Sequence, residues 1–158
     1  MATFYTIETA NARVPEVRDI LVLLRTQREE LVRLRDRLIE LGVHEAGSTP
    51  QDHRSRTSGS PDVVTERPVP RPAVAPDEEA RLIRLRMQGV VDQMQASVAR
   101  LDGWSITLRD IDSGLIDFPA LASGRQIWLC WRLGEGDIDW WHSVDEGFAG
   151  RRRLTDLV

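Results

Sequence analysis

The spacing of apolar residues changes once along this chain, and that change constrains the fold more than any other feature. Before Gly103 apolar residues recur at intervals of three and four, whereas from Trp104 to Arg109 they alternate with polar residues as in a half-buried strand. Helices followed by strands, rather than alternating with them, predict an α+β protein with an antiparallel sheet. At 158 residues the chain suits one domain of this kind.

Two long helical segments precede the change. We predict a short helix near the N-terminus, a break near Arg13–Val14, and a long helix from about Pro15 to Gly42, because proline disrupts a helix interior and glycine commonly ends one. A second long helix is predicted over residues 77–102. Both carry apolar seams at heptad spacing, so we expect them to form an antiparallel coiled-coil hairpin. The seam of the first consists of Val17, Ile20, Leu24, Gln27, Leu31, Leu34, Leu38 and Leu41.

Residues 43–76, between the two helices, are rich in Pro, Ser, Thr and Arg and contain no aromatic residue. Such a composition cannot bury enough apolar surface to fold, so a disordered linker is predicted there. Residues 1–42 and 77–158 are then expected to form one domain on either side of it.

The predicted sheet is a small antiparallel meander of three to four strands with one face packed on the helices. Alternating segments bounded by Gly, Asp, Ser and Pro define the strands, and Pro119 is expected to end the second of them. The segments are Trp104–Arg109, Leu115–Phe118, Gln126–Leu133 and Ile138–Val144.

Composition excludes some partners. The net charge of -4 gives no general attraction to nucleic acid or to an anionic membrane. The start of the chain lacks the basic and apolar regions of a signal peptide, and the apolar run Ile20–Leu24 is too short to span a bilayer. The single Cys cannot form an internal disulfide, which suits a reducing compartment. We therefore expect a cytoplasmic protein that binds neither nucleic acid nor membrane.

The residues with the most chemical potential lie between Leu115 and Gly150, which contain four of the five Trp, the only Cys and His142. Cys130 and His142 together would suit a zinc site or a thiolate–imidazole pair. A four-residue loop at 134–137 would place Cys130 opposite Trp141 and Leu129 opposite His142, so that thiol and imidazole point to opposite sides. A loop of three or five residues would bring them to the same side.

With the four-residue loop, the two faces of this hairpin differ in polarity. The face that is expected to meet the helices carries Leu129, Trp131, Leu133, Ile138, Trp140, His142 and Val144. On the other face Trp128 and Trp141 flank a predicted ion pair of Arg132 with Asp139. Because exposed Trp residues need a cover, these two are predicted to contact a partner, most simply a second copy of the chain.

Four segments of this sequence resemble a prokaryotic family known as domain of unknown function 2203. The segments are FYTIETANARVPEVRDIL, DIDSGLIDFPAL, GRQIWLCWRLGE and WWHSVDEGFAGR. The resemblance covers the N-terminal helix and residues 103–151, whereas the long linker and the pair Arg152–Arg153 depart from the family pattern. It implies no activity, but it implies that the characteristic polar positions are Asp117, Arg132, Glu135, His142 and Arg151.

Two functional hypotheses follow. The first is a self-associating assembly or adaptor protein, a homodimer without a cofactor. The second is a small metal- or ligand-binding enzyme with His142, Glu135 and Asp117 as ligands of a divalent metal, and with Arg132 holding an anion. In that hypothesis the ligand-binding residues are Asp117, Arg132, Glu135 and Arg151. The sequence leaves open whether the protein is an enzyme, because Asp beside Gly also serves turns.

Overall fold

The computed structural model describes residues 3–47 and 75–157, and these residues form two helices and a five-stranded antiparallel sheet. The elements, in chain order, are α1 (Ile7–Gly47), α2 (Pro76–Gly103), β1 (Thr107–Asp110), β2 (Leu115–Ala122), β3 (Arg125–Arg132), β4 (Trp140–Ser143) and β5 (Arg152–Arg153). The strands pair in that order across the sheet. The predicted α+β class is confirmed. The extra strand, β5, has only two residues and is too short to give an alternation signal.

The two helices pack side by side and run antiparallel. Arg37 Nε donates to Glu79 over 2.8 Å near one end of the pair, and Arg100 lies 3.7 Å from Glu16 near the other. Between them, Gln27 fills a buried polar position and donates to a glutamine of α2 over 3.2 Å. The predicted hairpin is therefore confirmed, while its coiled-coil packing stays a prediction.

Helix α1 is longer and more continuous than the sequence indicated. It runs through Pro15, so the predicted break at Arg13–Val14 is wrong. A proline removes one N–H, and Val14 and Val17 on either side of it are buried in the core, which holds the helix together. The helix also continues past Gly42, so the predicted end there is wrong, since one glycine costs a helix only about 1 kcal/mol. The rest of the predicted linker, residues 48–74, lies outside the described residues.

The hydrophobic core lies between the helices and one face of the sheet, which we call the inner face. Helix α1 contributes one apolar stripe, and β2 and β3 contribute alternate residues, as expected for a sheet with one covered face. The core residues are Ala10, Val14, Val17, Ile20, Leu21, Leu24, Leu101, Ile106, Ile116, Phe118, Ala120, Ile127, Leu129, Trp131 and Ile138. The opposite side is the outer face.

Strand β2 continues through Pro119, which was predicted to end it. Pro119 lies opposite Trp128 of β3, and its carbonyl accepts the Tyr5 N–H over 2.7 Å on the side away from β3. In a strand the N and the carbonyl of one residue point to the same side. The nitrogen of Pro119 therefore faces away from β3, so its missing N–H removes no hydrogen bond from the β2–β3 ladder.

The pairing of β3 with β4 differs by one residue from the predicted register. Cys130 lies opposite Trp140 rather than Trp141, and Trp128 lies opposite His142. Because side chains alternate between faces, this shift moves every β4 residue to the other face. Cys130 and His142 consequently share the outer face, contrary to the prediction from a four-residue loop.

Contacts outside the ladder explain the shift. Trp131 Nε1 donates to the Gly136 carbonyl over 2.8 Å, and the Ile138 N–H donates to Asn11 Oδ1 of α1 over 2.7 Å. The connection is therefore held by an indole and by a distant helix rather than by a tight turn. Counting residues between the strands could not reveal either contact.

The shift also corrects the predicted composition of the two faces. Trp141 packs against the core on the inner face, whereas Trp128 lies on the outer face, so the two do not form one platform. His142 does not meet the helices. Asp139 pairs with Arg153 and not with Arg132.

Neither of the two described helices contains an apolar stretch long enough to cross a lipid bilayer.

Candidate metal centre

Three adjacent strands bring three potential metal ligands together on the outer face. Asp117 of β2 lies directly opposite Cys130 of β3, and His142 of β4 is diagonal to Cys130 on the other side. Their relative exposures are 1%, 1% and 2%. One carboxylate oxygen, the thiol sulfur and one imidazole nitrogen lie within 4.8 Å of one another. We call these three residues the donor cluster.

Hydrogen bonding determines which nitrogen of His142 is available. Nδ1 lies 2.9 Å from the Ser143 carbonyl, and because a carbonyl only accepts, Nδ1 carries a proton. Nε2 lies 3.1 Å from Asp117 Oδ2. In the neutral ring both Nε2 and the carboxylate oxygen would present lone pairs to each other, so a proton or another cation belongs between them. A backbone carbonyl on the second nitrogen is one of the usual partners of a metal-binding histidine.

Asp117 has one engaged and one unengaged oxygen. Oδ2 accepts from Arg109 Nε over 2.7 Å and faces His142, whereas Oδ1 is buried without a hydrogen-bond partner among the described residues. Burying a carboxylate oxygen without a partner costs about 1–3 kcal/mol. A cation at Oδ1 would remove that cost.

Cys130 is not prepared to act as a free nucleophile. Burial, followed by the negative charge of Asp117, raises the pKa of its thiol from 9.0 to about 12. Both nitrogens of His142 already have partners, so the imidazole is not free to take the thiol proton. A bound metal ion would change this, because a coordinating thiol is deprotonated outright.

An ion pair covers one side of the donor cluster. Arg151 donates from Nη1 and Nη2 to the two oxygens of Glu135 over 2.9 and 2.7 Å. Burial acts to lower the pKa of Arg151, but the hydrogen bonds to Glu135 and neighbouring negative charge outweigh it, and the pKa is raised. The guanidinium lies 4.9 Å from the Trp140 ring and 5.1 Å from the Phe148 ring, and Nη2 lies 3.4 Å from the Cys130 carbonyl. This pair holds the segment after β4 over the cluster.

A cavity of about 180 Å³ adjoins the donor cluster. Its walls combine the three donors with one cationic, one further acidic and several apolar side chains. They are formed by Arg109, Leu115, Asp117, Cys130, His142, Val144, Glu146, Gly147 and Phe148. A metal ion bound to the donors would therefore face a small, partly open space.

The structure unites some of the predicted site residues and separates others. Asp117 and His142 are in contact. Glu135 is turned to Arg151 instead of joining them, and the third residue beside Asp117 and His142 is Cys130. Arg132 is exposed, 3.9 Å from Glu135, so it is not beside the donors.

Arg109 is the residue that sequence reasoning missed. It lies at an irregularity of β1 between Leu108 and Asp110, and its side chain reaches Asp117. The alternation from Trp104 to Arg109 already put it on the polar face of its strand. Its partner could not be inferred, since the pairing of β1 with β2 was unknown.

Comparison with other proteins gives a family but no activity. No curated protein matches the chain, and no solved structure matches it. The model of the family described as "Uncharacterized conserved protein (DUF2203)" matches residues 3–154, and the chain therefore belongs to that family.

Proposed function

We propose that this protein binds a divalent transition metal, with zinc as the preferred ion, through Asp117, Cys130 and His142. The observation that carries the proposal is the convergence of three buried donors within 4.8 Å, one of which has an oxygen that no other described residue engages. A sulfur, a nitrogen and an oxygen ligand form a set that zinc accepts, and the thiolate disfavours magnesium and calcium.

Three protein ligands leave a fourth position of a tetrahedral ion for water or a substrate, as in catalytic zinc sites. The adjoining cavity gives such a ligand space. The proposal therefore retains the hypothesis of a small metal-binding enzyme, with Cys130 in place of Glu135 as the third ligand.

Metal analysis of protein purified without a polyhistidine tag tests this proposal. We expect about one zinc ion per chain, which dialysis against a chelator removes and added zinc restores. The variants Cys130→Ser, His142→Gln and Asp117→Asn should lose it. Asp92→Asn is the matched control, because Asp92 is an exposed carboxylate on α2 whose partner is Gln88. A protein that binds no zinc, or variants that bind it as wild type does, would rule the site out.

Self-association is the second candidate function, and exposed apolar side chains on the helices favour it. Val32 and Ile39 of α1 are 38% and 58% exposed, and Leu82 and Leu85 of α2 are 49% and 60% exposed. The ion pair of Arg37 with Glu79 places these residues along the same half of the hairpin. Two hairpins packed about a twofold axis would bury the same apolar residues in both copies, as a four-helix bundle does.

The oligomeric state tests the second candidate. Light scattering after size exclusion should give twice the chain mass, and the double variant Ile39→Glu/Leu85→Glu should give a monomer. The control Val144→Glu changes an equally exposed apolar residue away from the helices. A wild-type monomer at high concentration would exclude this function and leave the metal site unaffected.

A further inference from the structure

Arg109 links the donor cluster to solvent. Its Nε donates to Asp117 Oδ2, its guanidinium lies 5.1 Å from the Trp128 ring, and 41% of its side chain is exposed. It also forms part of the wall of the 180 Å³ cavity. A guanidinium has five N–H donors, and the bond to Asp117 uses one of them. Arg109 can therefore hold Asp117 and a ligand in the cavity at the same time.

The other two arginines near the cavity already have carboxylate partners. Arg151 is bound to both oxygens of Glu135, and Arg152 donates to both oxygens of Glu146 over 2.8 Å. These two pairs contribute no net charge. The net charge at the cavity therefore depends on Arg109 and on the donor cluster, to which Asp117 belongs.

A bound metal ion would change which positive charge Asp117 balances. A divalent ion is neutralised by one carboxylate and one thiolate. The negative charge of Asp117 would then balance the metal ion and would no longer balance the charge of Arg109. Arg109 would be left as a positive charge without a compensating carboxylate at the edge of this partly open cavity, where it attracts an anion.

We propose that the metal-loaded protein binds a small oxyanion, a carboxylate or a phosphate, in the cavity between the metal ion and Arg109. This inference rests on the proposed metal site. A guanidinium pairs well with either oxyanion, and the fourth position of the metal accepts an oxygen ligand. Leu115, Val144 and Phe148 supply apolar walls, so the ligand that carries the oxyanion has a compact apolar part.

Cobalt-substituted protein provides the test, because the visible spectrum of Co²⁺ reports directly on its ligands. The protein is saturated with Co²⁺ and titrated separately with sodium acetate and sodium phosphate, with sodium perchlorate as the control for ionic strength. We expect acetate or phosphate to shift the spectrum to a plateau and perchlorate to leave it unchanged. The anion that saturates at the lower concentration identifies the oxyanion class.

The variant Arg109→Gln should still bind Co²⁺ but should bind the oxyanion about tenfold or more weakly, as expected for loss of a charge-assisted hydrogen bond. Arg109→Lys retains the charge and should fall between Arg109→Gln and wild type. The matched control Arg125→Gln, at the exposed start of β3, should behave as wild type.

Each other outcome contradicts a specific claim. If Co²⁺ binds and neither anion changes its spectrum, or if Arg109→Gln binds the anion as wild type does, the anion inference is wrong and the metal site stands. If Co²⁺ does not bind, the metal site is wrong and the anion inference fails with it.

Discussion

The imidazole Nε2 of His142 lies 3.1 Å from Asp117 Oδ2, and both side chains are almost completely buried. The two residues belong to strands that do not pair with each other and meet across Cys130 of the intervening strand. The contact is thus a product of the sheet and not of local sequence.

The stability of the metal-free protein should depend strongly on Asp117. Asp117→Ala leaves His142 without its acceptor and Arg109 without its hydrogen-bond partner, so we expect the free energy of unfolding to fall by about 3 kcal/mol. Urea denaturation measures this loss. Asp92→Ala, which removes an exposed carboxylate, should change it by less than about 0.5 kcal/mol. Equal effects of the two variants would mean that the buried contact contributes nothing.

Alkaline pH should destabilise the metal-free protein through Cys130. Burial and the charge of Asp117 raise the pKa of the thiol from 9.0 to about 12, so above pH 9.0 the unfolded chain loses a proton that the folded chain keeps. The unfolded state binds fewer protons in that range, and the free energy of unfolding therefore falls as pH rises from 9.0 toward about 12.

Urea midpoints measured at several alkaline pH values for wild type and for Cys130→Ala test this dependence. The variant should be less stable near neutral pH, but its stability should decline less with pH. The comparison also corrects for Tyr5, whose pKa is raised by burial and which gives both proteins the same additional decline. Parallel curves would show that the thiol does not contribute.

Acid should weaken the ion pair of Glu135 with Arg151. Burial acts to raise the pKa of Glu135, but hydrogen bonds from Arg151 and from the Arg132 backbone N–H, together with nearby positive charge, leave it below its ordinary value of 4.5. The stability from this pair is therefore complete above pH 4.5 and is lost as pH falls through the lower pKa of the folded state.

For Glu135→Gln we expect a loss of about 1–3 kcal/mol in the free energy of unfolding at neutral pH, and a weaker decline on acidification. Thermal unfolding between neutral pH and mildly acidic pH measures both. The matched control Glu40→Gln removes an exposed carboxylate that pairs with Arg37, and it should have little effect. A variant as stable as wild type at neutral pH would contradict the role given to the pair.

Gly114 should tolerate alanine much less well than Gly124. Both have positive φ, +63° and +75°, so both variants carry backbone strain. At Gly114 a Cβ would also lie 2.6 Å from Leu133 Cβ, whereas at Gly124 it would meet nothing within 4 Å. We expect Gly124→Ala to cost about 1 kcal/mol and Gly114→Ala clearly more. Melting temperatures in one buffer give the comparison, and equal losses would mean that the turn relaxes around the new methyl group.

The sequence predicted the elements of this protein better than the site. Apolar seams were sufficient for the pairing of α1 with α2, because each helix turns one stripe of buried and half-buried residues inward. Alternation located four of the strands. Such patterns could not predict the face of the sheet on which His142 lies, because that face follows from contacts of the β3–β4 connection with Asn11 and with an indole.

The residues of the site could be predicted only in part. The family resemblance singled out Asp117 and His142, which are in contact, and Glu135 and Arg151, which form an ion pair. The resemblance could not show that these residues form two neighbouring groups of side chains rather than one. That distinction depends on which carboxylate reaches the arginine, a matter of side-chain geometry.

The hydrogen bond from Ile138 to Asn11 joins residues that are 127 positions apart in the chain. An early helix thereby determines how a late hairpin aligns. If the C-terminal strands were produced as a fragment without α1, only the bond from Trp131 to Gly136 would still oppose their sliding by one residue into the tighter turn. The thiol and the imidazole would then separate to opposite sides of the sheet, and the fragment would lose the donor arrangement even though it contains all three residues.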